Sequence, residues 1–201
     1  FSFGLAVCFA VALALAYIIY DTSKTLPSHE SLAQYEPPVM TRIHAADGSL
    51  LAEYAKERRL FVPIDAVPKQ LVQAVTSAED KNFYSHPGVD PEALARAVLV
   101  NIQARLNGSK RRLIGASTIT QQVAKNFLLT NERTIARKLR EALIAIRMES
   151  SFSKDQILEL YLNEIFLGQG SYGVAAASLN YFGKSLIELD LAQIAYLAAL
   201  P

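Results

Sequence analysis

The first twenty residues, Phe1 to Tyr20, carry no charged side chain, and Asp21 is the first acid. A helix rises about 1.5 Å per residue, so this run reaches about 30 Å, the thickness of a bilayer's hydrocarbon core. It reads as a transmembrane anchor over residues 1–20, with Tyr17 and Tyr20 at one interface. A secretory signal peptide competes, because Ala14-Leu15-Ala16 resembles a small-residue cleavage site. Tyr17-Ile18-Ile19-Tyr20 continues the apolar run past the about 7–15 residues of a signal core, which favours a retained segment.

Residues 21–38 are polar and broken by Pro27, Pro37 and Pro38, the composition of a stalk. Residues 39–66 read as a short β region. Asp47-Gly48 is a hairpin dipeptide, and Leu60-Phe61-Val62 favours extended backbone before Pro63. From residue 67 to 201 helical periods dominate. With 51% hydrophobic and 19% charged residues, wholesale disorder is excluded. The single cysteine, Cys8, excludes a disulfide framework and a Cys-based zinc site; His29, His44 and His86 are too scattered for a histidine cluster.

The helix expected from about Lys69 places Leu71, Val72, Val75 and Ala78 at helical spacing. Glu79 follows Val75 by four residues and continues that stripe. A carboxylate there either leans out to solvent or caps a neighbouring loop, as charged side chains commonly do, or, near the negative end of the helix dipole, is harder to ionise, as a general base working near neutral pH requires. Ser153 with Gln156 forms a capping box for a second helix, lined by Ile157, Leu158, Tyr161, Leu162 and Ile165. Gly168-Gln169-Gly170-Ser171-Tyr172-Gly173 has the spacing of a dinucleotide loop but follows a helix rather than a strand, so it reads as a flexible turn. Leu186 to Pro201 reads as one more apolar helix. Its lack of a polar ending suggests a piece cut from a longer protein.

Net charge is +1, but it is unevenly spread. Between Arg105 and Arg147 stand ten basic residues against Glu132 and Glu141, so that stretch carries about +8 and the rest about −7. One region is built to meet an anion. Within it, Ile135, Leu139, Ala142, Leu143 and Ile146 share a helix face, with Arg137 and Glu141 opposite and Lys138 on one flank. This is either an exposed face with an Arg137–Glu141 pair worth about 0.2–0.5 kcal/mol, or a cationic wall for a diphosphate.

Five ordered blocks resemble the peptidoglycan glycosyltransferase (transglycosylase) domain of class A penicillin-binding proteins and of the related monofunctional enzymes. Glu79 through Asp90 looks like the first motif. Gly115-Ala116-Ser117-Thr118-Ile119-Thr120-Gln121-Gln122, with Lys125-Asn126 beyond, is similar to the second, with Ala116 where the family usually has glycine. Arg137-Lys138-Leu139-Arg140-Glu141 resembles the third. Lys154 through Asn163 and on to Gly173-Val174 resembles the fourth, and Leu191 to Pro201 the start of the fifth. The resemblance covers most of the chain from about Asp47.

The resemblance implies a mainly α, lysozyme-like glycosyltransferase domain with a short β-hairpin region and an N-terminal transmembrane helix. It implies inverting transfer, in which the 4-hydroxyl of lipid II attacks the anomeric carbon of a lipid-linked glycan chain and releases undecaprenyl diphosphate. Glu79 becomes the general base. Arg137 and Lys138, with Glu141 as a second catalytic carboxylate, manage the diphosphate. A divalent cation, Mg or Mn, is the implied cofactor, with Glu141 its candidate ligand. Ser117, Thr118, Gln121, Gln122, Lys125, Lys154 and Asn163 line or support the donor cleft, whereas His86, Tyr161 and Tyr172 read as structural. The implied partners are lipid II, the bacterial inner membrane and a transpeptidase domain beyond Pro201, with the catalytic domain on the periplasmic face and no nucleic acid. A lysozyme-like glycan hydrolase or lytic transglycosylase and a non-catalytic, membrane-tethered anion-binding module are the alternatives. The first leaves the Arg137-Lys138 wall unexplained, and the second has no need of Glu79.

Overall fold

The computed structural model describes residues 20–24, 41–47, 50–54, 58–109, 111, 114–129 and 134–201, with single positions 9, 13 and 26. Most of the expected anchor and stalk therefore lies outside the described residues. Among the described residues no helix is long and apolar enough to cross a membrane.

The expected hairpin is present. β1 (Thr41–His44) pairs antiparallel with β2 (Leu50–Tyr54), and the register shifts between Ile43 and His44. β3 (Arg58–Arg59) leaves this hairpin and pairs in parallel with β4 (Ser171–Tyr172). Among the described residues after this hairpin stand seven α-helices: α1 (Lys69–Glu79), α2 (Pro91–Leu106), α3 (Ile119–Leu128), α4 (Ile135–Ser151), α5 (Lys154–Glu164), α6 (Val174–Phe182) and α7 (Leu191–Ala198). The described residues are thus mainly helical.

Their starts are written in side chains. Capping boxes open α3 (Thr118 with Gln121), α5 (Ser153 with Gln156) and α7 (Asp190 with Gln193), and the Asp90 carboxylate accepts from the Ala93 N–H at the head of α2. Leu71 and Val75 of α1, Ile119 and Val123 of α3, Ile144 and Met148 of α4, and Ile157, Tyr161 and Leu162 of α5 share one core. Each fully buried large apolar side chain of this kind contributes about 1.5–3 kcal/mol.

Five expectations are corrected. The apolar face assigned to α4 is only partly covered, with Ile135 91% and Ile146 49% exposed and Leu139, Ala142 and Leu143 half-buried, and the fully buried residues are Glu141, Ile144, Ala145 and Met148. Positions 141, 144, 145 and 148 form a second helical stripe, whose polar first member disguised it. Ala78 is exposed, so the α1 stripe ends at Val75 apart from the half-buried Glu79. Leu60-Phe61-Val62 forms no strand; Asn163 grips Val62 instead, through a hydrogen bond to its N–H and another to its carbonyl, each 2.8 Å. The glycine-rich segment is a defined corner rather than a flexible turn. Ser171-Tyr172 joins β3, Gly173 N–H reaches Ile165 O, and a Cβ on Gly173 would lie 2.6 Å from Asn163 O. Leu186 to Pro201 is divided, because a 3-10 turn at Leu186–Glu188 stops and Asp190 caps a new start.

Candidate active site

α1 ends on Glu79 because Asp80 leaves helical geometry, with φ −157° and ψ 77°. The Glu79 carboxylate then faces α3, where Gln122 Nε2 donates to Oε2 at 2.8 Å. Gln122, expected to line a donor cleft, is therefore the partner of the candidate base.

The neighbour of Glu79 fixes this corner. Asp80 is buried, and its Oδ2 accepts from Ile119 N–H at 2.9 Å, in the first turn of α3. Both its oxygens lie within 3.0 Å of His86 Nε2, while His86 Nδ1 accepts from Gly88 N–H at 3.2 Å. That second bond assigns the ring proton to Nε2, which donates to Asp80. His86 is structural, as its sequence context suggested. Thr118 Oγ1 donates to Gly88 O at 2.6 Å, and Gly88 (φ +91°) lets the loop lie on the α4 backbone, where a Cβ would come 2.7 Å from Ala145 C and O. α1, α3 and α4 are tied at one point.

On α4 the cationic cluster is built around a buried acid. Glu141 is 2% exposed; its Oε2 accepts from Lys138 Nζ at 2.7 Å, and its Oε1 lies 3.0 Å from Arg137 Nη1. Lys138 Nζ also donates to Ser117 Oγ at 2.7 Å, just ahead of the α3 cap. An ammonium has three N–H donors, so one remains on a side chain that is 49% exposed. Buried Arg137 Nε and Glu141 Oε1 have no hydrogen-bond partner among the described residues. Two cations and one carboxylate leave this cluster at +1, with donor capacity to spare.

The structure thus brings together Glu79 with Gln122, and Ser117 with Lys138, Glu141 and Arg137. It places other expected residues differently. Thr118 and Gln121 are buried: the Thr118 hydroxyl accepts from Gln121 N–H and donates to Gly88 O, and Gln121 Oε1 accepts from Thr118 N–H in the α3 capping box. Lys154 Nζ donates to His86 O and Glu149 Oε1, each at 2.7 Å, and lies 4.6 Å from the Phe83 ring centre, which makes it a clasp. Asn163 uses both ends of its amide on Val62 and on Glu159 O, so it supports backbone rather than facing a ligand. Lys125 is exposed on α3.

As a metal ligand Glu141 fits poorly. Its two oxygens already face two cations, and the described residues hold no group of three or more His, Cys, Asp or Glu able to bind an ion.

Three participants gave little sequence signal. Asp80 stands beside the more conspicuous Glu79. Glu149 closes the network with Thr120 Oγ1 at 2.6 Å. Tyr161 is 1% exposed, its hydroxyl lacks a hydrogen-bond partner among the described residues, and burial, then the Glu79 charge, push its phenol well above the usual tyrosine range.

A family model described as Transglycosylase matches residues 47–201. Penicillin-binding protein 1A of Rickettsia conorii is 56% identical over 92% of this chain and 23% of its own length. That of Neisseria lactamica is 51% identical over 99% of this chain and 24% of its own, and that of Aquifex aeolicus 44% over 98% and 26%. The chain therefore spans about a quarter of the length of these relatives. A solved penicillin-binding protein 1A of Haemophilus influenzae, 28% identical, covers 83% of this chain and 14% of that one at a TM-score of 0.38, a superposition too loose to define the fold.

Proposed function

The chain belongs to the transglycosylase family, and on that premise we propose that it polymerises lipid II into glycan strands by inverting transfer, as part of a bifunctional penicillin-binding protein. The observation that carries this reading is the buried Glu141 held between Arg137 and Lys138. A buried carboxylate fixes two cations on a rigid helix, so their spare N–H donors need no reorganisation when charge develops on a departing diphosphate. Interactions that strengthen as the bond breaks favour the transition state over the ground state. Glu141 acts through its two neighbours, as a positioning group.

Glu79 is the general base. The acceptor's 4-hydroxyl gives its proton to the carboxylate as the hydroxyl oxygen bonds to the anomeric carbon, and the diphosphate leaves from the opposite face. Gln122 holds the carboxylate oxygen through this transfer. Ser117 steadies Lys138. A divalent cation, if bound to the diphosphate, supplies further charge neutralisation.

The domain is lysozyme-like and works at the inner membrane, with residues 1–20 as its anchor. Support comes from α2, whose one buried residue is Ala97, while Leu94, Leu99, Ile102 and Leu106 are all more than half exposed. Exposed apolar area of this extent suits contact with lipid.

The test is direct. Purified protein given lipid II forms glycan polymer, and Glu79→Gln abolishes polymer formation while lipid II binding persists. Shortening of preformed glycan without polymer formation points to the hydrolase instead.

A further inference from the structure

The helix that carries the cationic cluster also receives the N-terminal segment. Phe9, Leu13 and residues 20–24 are helical, and Phe9, Leu13 and Tyr20 are each more than half exposed. Thr22, Ser23 and Leu26 are half-buried. Leu26 packs against the main core, and Arg147 Nη2 of α4 donates to Ser23 O at 3.3 Å. The sequence leaves that carbonyl without a helical partner, because four residues on stands Pro27, which has no N–H. A guanidinium there satisfies the carbonyl at the negative end of the helix dipole. Within the turn, Ser23 Oγ donates to Tyr20 O at 2.8 Å, and Lys24 Nζ lies 4.2 Å from the Tyr20 ring centre.

Arg147 shares a rigid rod with the cationic wall. Along α4 it lies about 9 Å from Glu141 and about 14 Å from Lys138 at the helical rise. Tyr20, an interfacial aromatic at the end of the apolar run, is less than one turn from Ser23. We propose that Arg147 is a positioning residue: by capping Ser23 O it docks the end of the anchor on α4 and fixes how far the Arg137-Lys138-Glu141 cluster stands from the bilayer. A lipid tail holds the substrate's diphosphate at that bilayer, so a fixed stand-off brings cluster and leaving group to one height. This rests on the readings of residues 1–20 as anchor and of the cluster as the wall for the diphosphate.

The experiment compares two substrates with the full chain: lipid II in phosphatidylcholine vesicles, and a short-chain, water-soluble lipid II analogue that no bilayer holds. Arg147→Ala opens the joint. Two glycines inserted between Tyr20 and Asp21 leave Arg147 and Ser23 in place but free the anchor from them. Both variants are expected to lose about tenfold or more in rate on vesicles, within the range that displacing reacting groups by about 1 Å produces. Both keep the wild-type rate on the soluble analogue and the wild-type Tm, and Arg147→Lys, which still donates, regains most of the vesicle rate. Wild-type activity of Arg147→Ala on vesicles overturns the proposal, and so does an equal loss on both substrates, which marks a role in the chemistry or the fold. If the insertion is harmless while Arg147→Ala is impaired, the guanidinium acts on lipid directly and the joint has no such role. Wild type that fails to sediment with vesicles sinks the anchor reading, and wild type that makes no polymer from either substrate sinks the glycosyltransferase reading.

Discussion

Lys138→Ala separates charge placement from stability. Lys138 is half exposed, and an exposed ion pair typically contributes about 0–1 kcal/mol. Its partner, however, is Glu141 at 2% exposure, and stranding a buried charge costs about 3–5 kcal/mol. Two features reduce that penalty: solvent already reaches Lys138, and Arg137 Nη1 remains 3.0 Å from the other oxygen. The expected loss is therefore about 1–3 kcal/mol, between the exposed and buried limits. At about 2–4 °C per kcal/mol for a chain of this size, Tm falls by about 2–12 °C. The double variant Lys138→Ala/Glu141→Gln removes the stranded charge and regains most of this, a coupling of about 0.5–3 kcal/mol in a double-mutant cycle followed by urea denaturation. Both variants lose polymerisation of lipid II, because neither keeps the ammonium. Wild-type stability in Lys138→Ala, or a double variant no more stable than the single, would refute the claim that Glu141 is held by its cations.

Three further outcomes are expected. Gly88→Ala drives a methyl into the Ala145 backbone at a positive φ, so it destabilises by about 2–4 kcal/mol, read from thermal melting. Asp90 is held below its ordinary carboxylate value of 3.8, first by the Ala93 N–H, and also by the Asn82 amide and the Glu92 N–H, against the opposing effect of burial. A depressed folded-state pKa gives stability that is present above pH 3.8 and lost as pH falls through the folded value. The advantage of wild type over Asp90→Asn in urea denaturation therefore shrinks below pH 3.8. Glu79→Gln melts within about 3 °C of wild type while losing activity, since a half-buried helix-end amide can still meet Gln122.

Much of this was legible in the sequence. Polar caps such as Ser153 with Gln156 placed helix starts, because their bonds span three residues and need nothing distant. Asp47-Gly48 marked the hairpin for the same reason, and Glu79 and the Arg137-Lys138-Glu141 group were conspicuous by type. What stayed hidden depended on partners far along the chain. Asn163 looks like a cleft amide until Val62, a hundred residues earlier, is found against it. The inward face of α4 was masked because its leading residue is an acid. A periodicity argument counts Glu141 as wet, whereas two cations make its burial tolerable.

Asp80 sits one peptide bond from the proposed base and is bonded to the first turn of the helix that Ser117 precedes. The proposed proton acceptor and the ammonium therefore belong to a single frame rather than to two walls that drift apart and together. An enzyme that adds one identical sugar unit after another has use for such a fixed gauge, since every round meets the same span, whatever length of polymer trails behind.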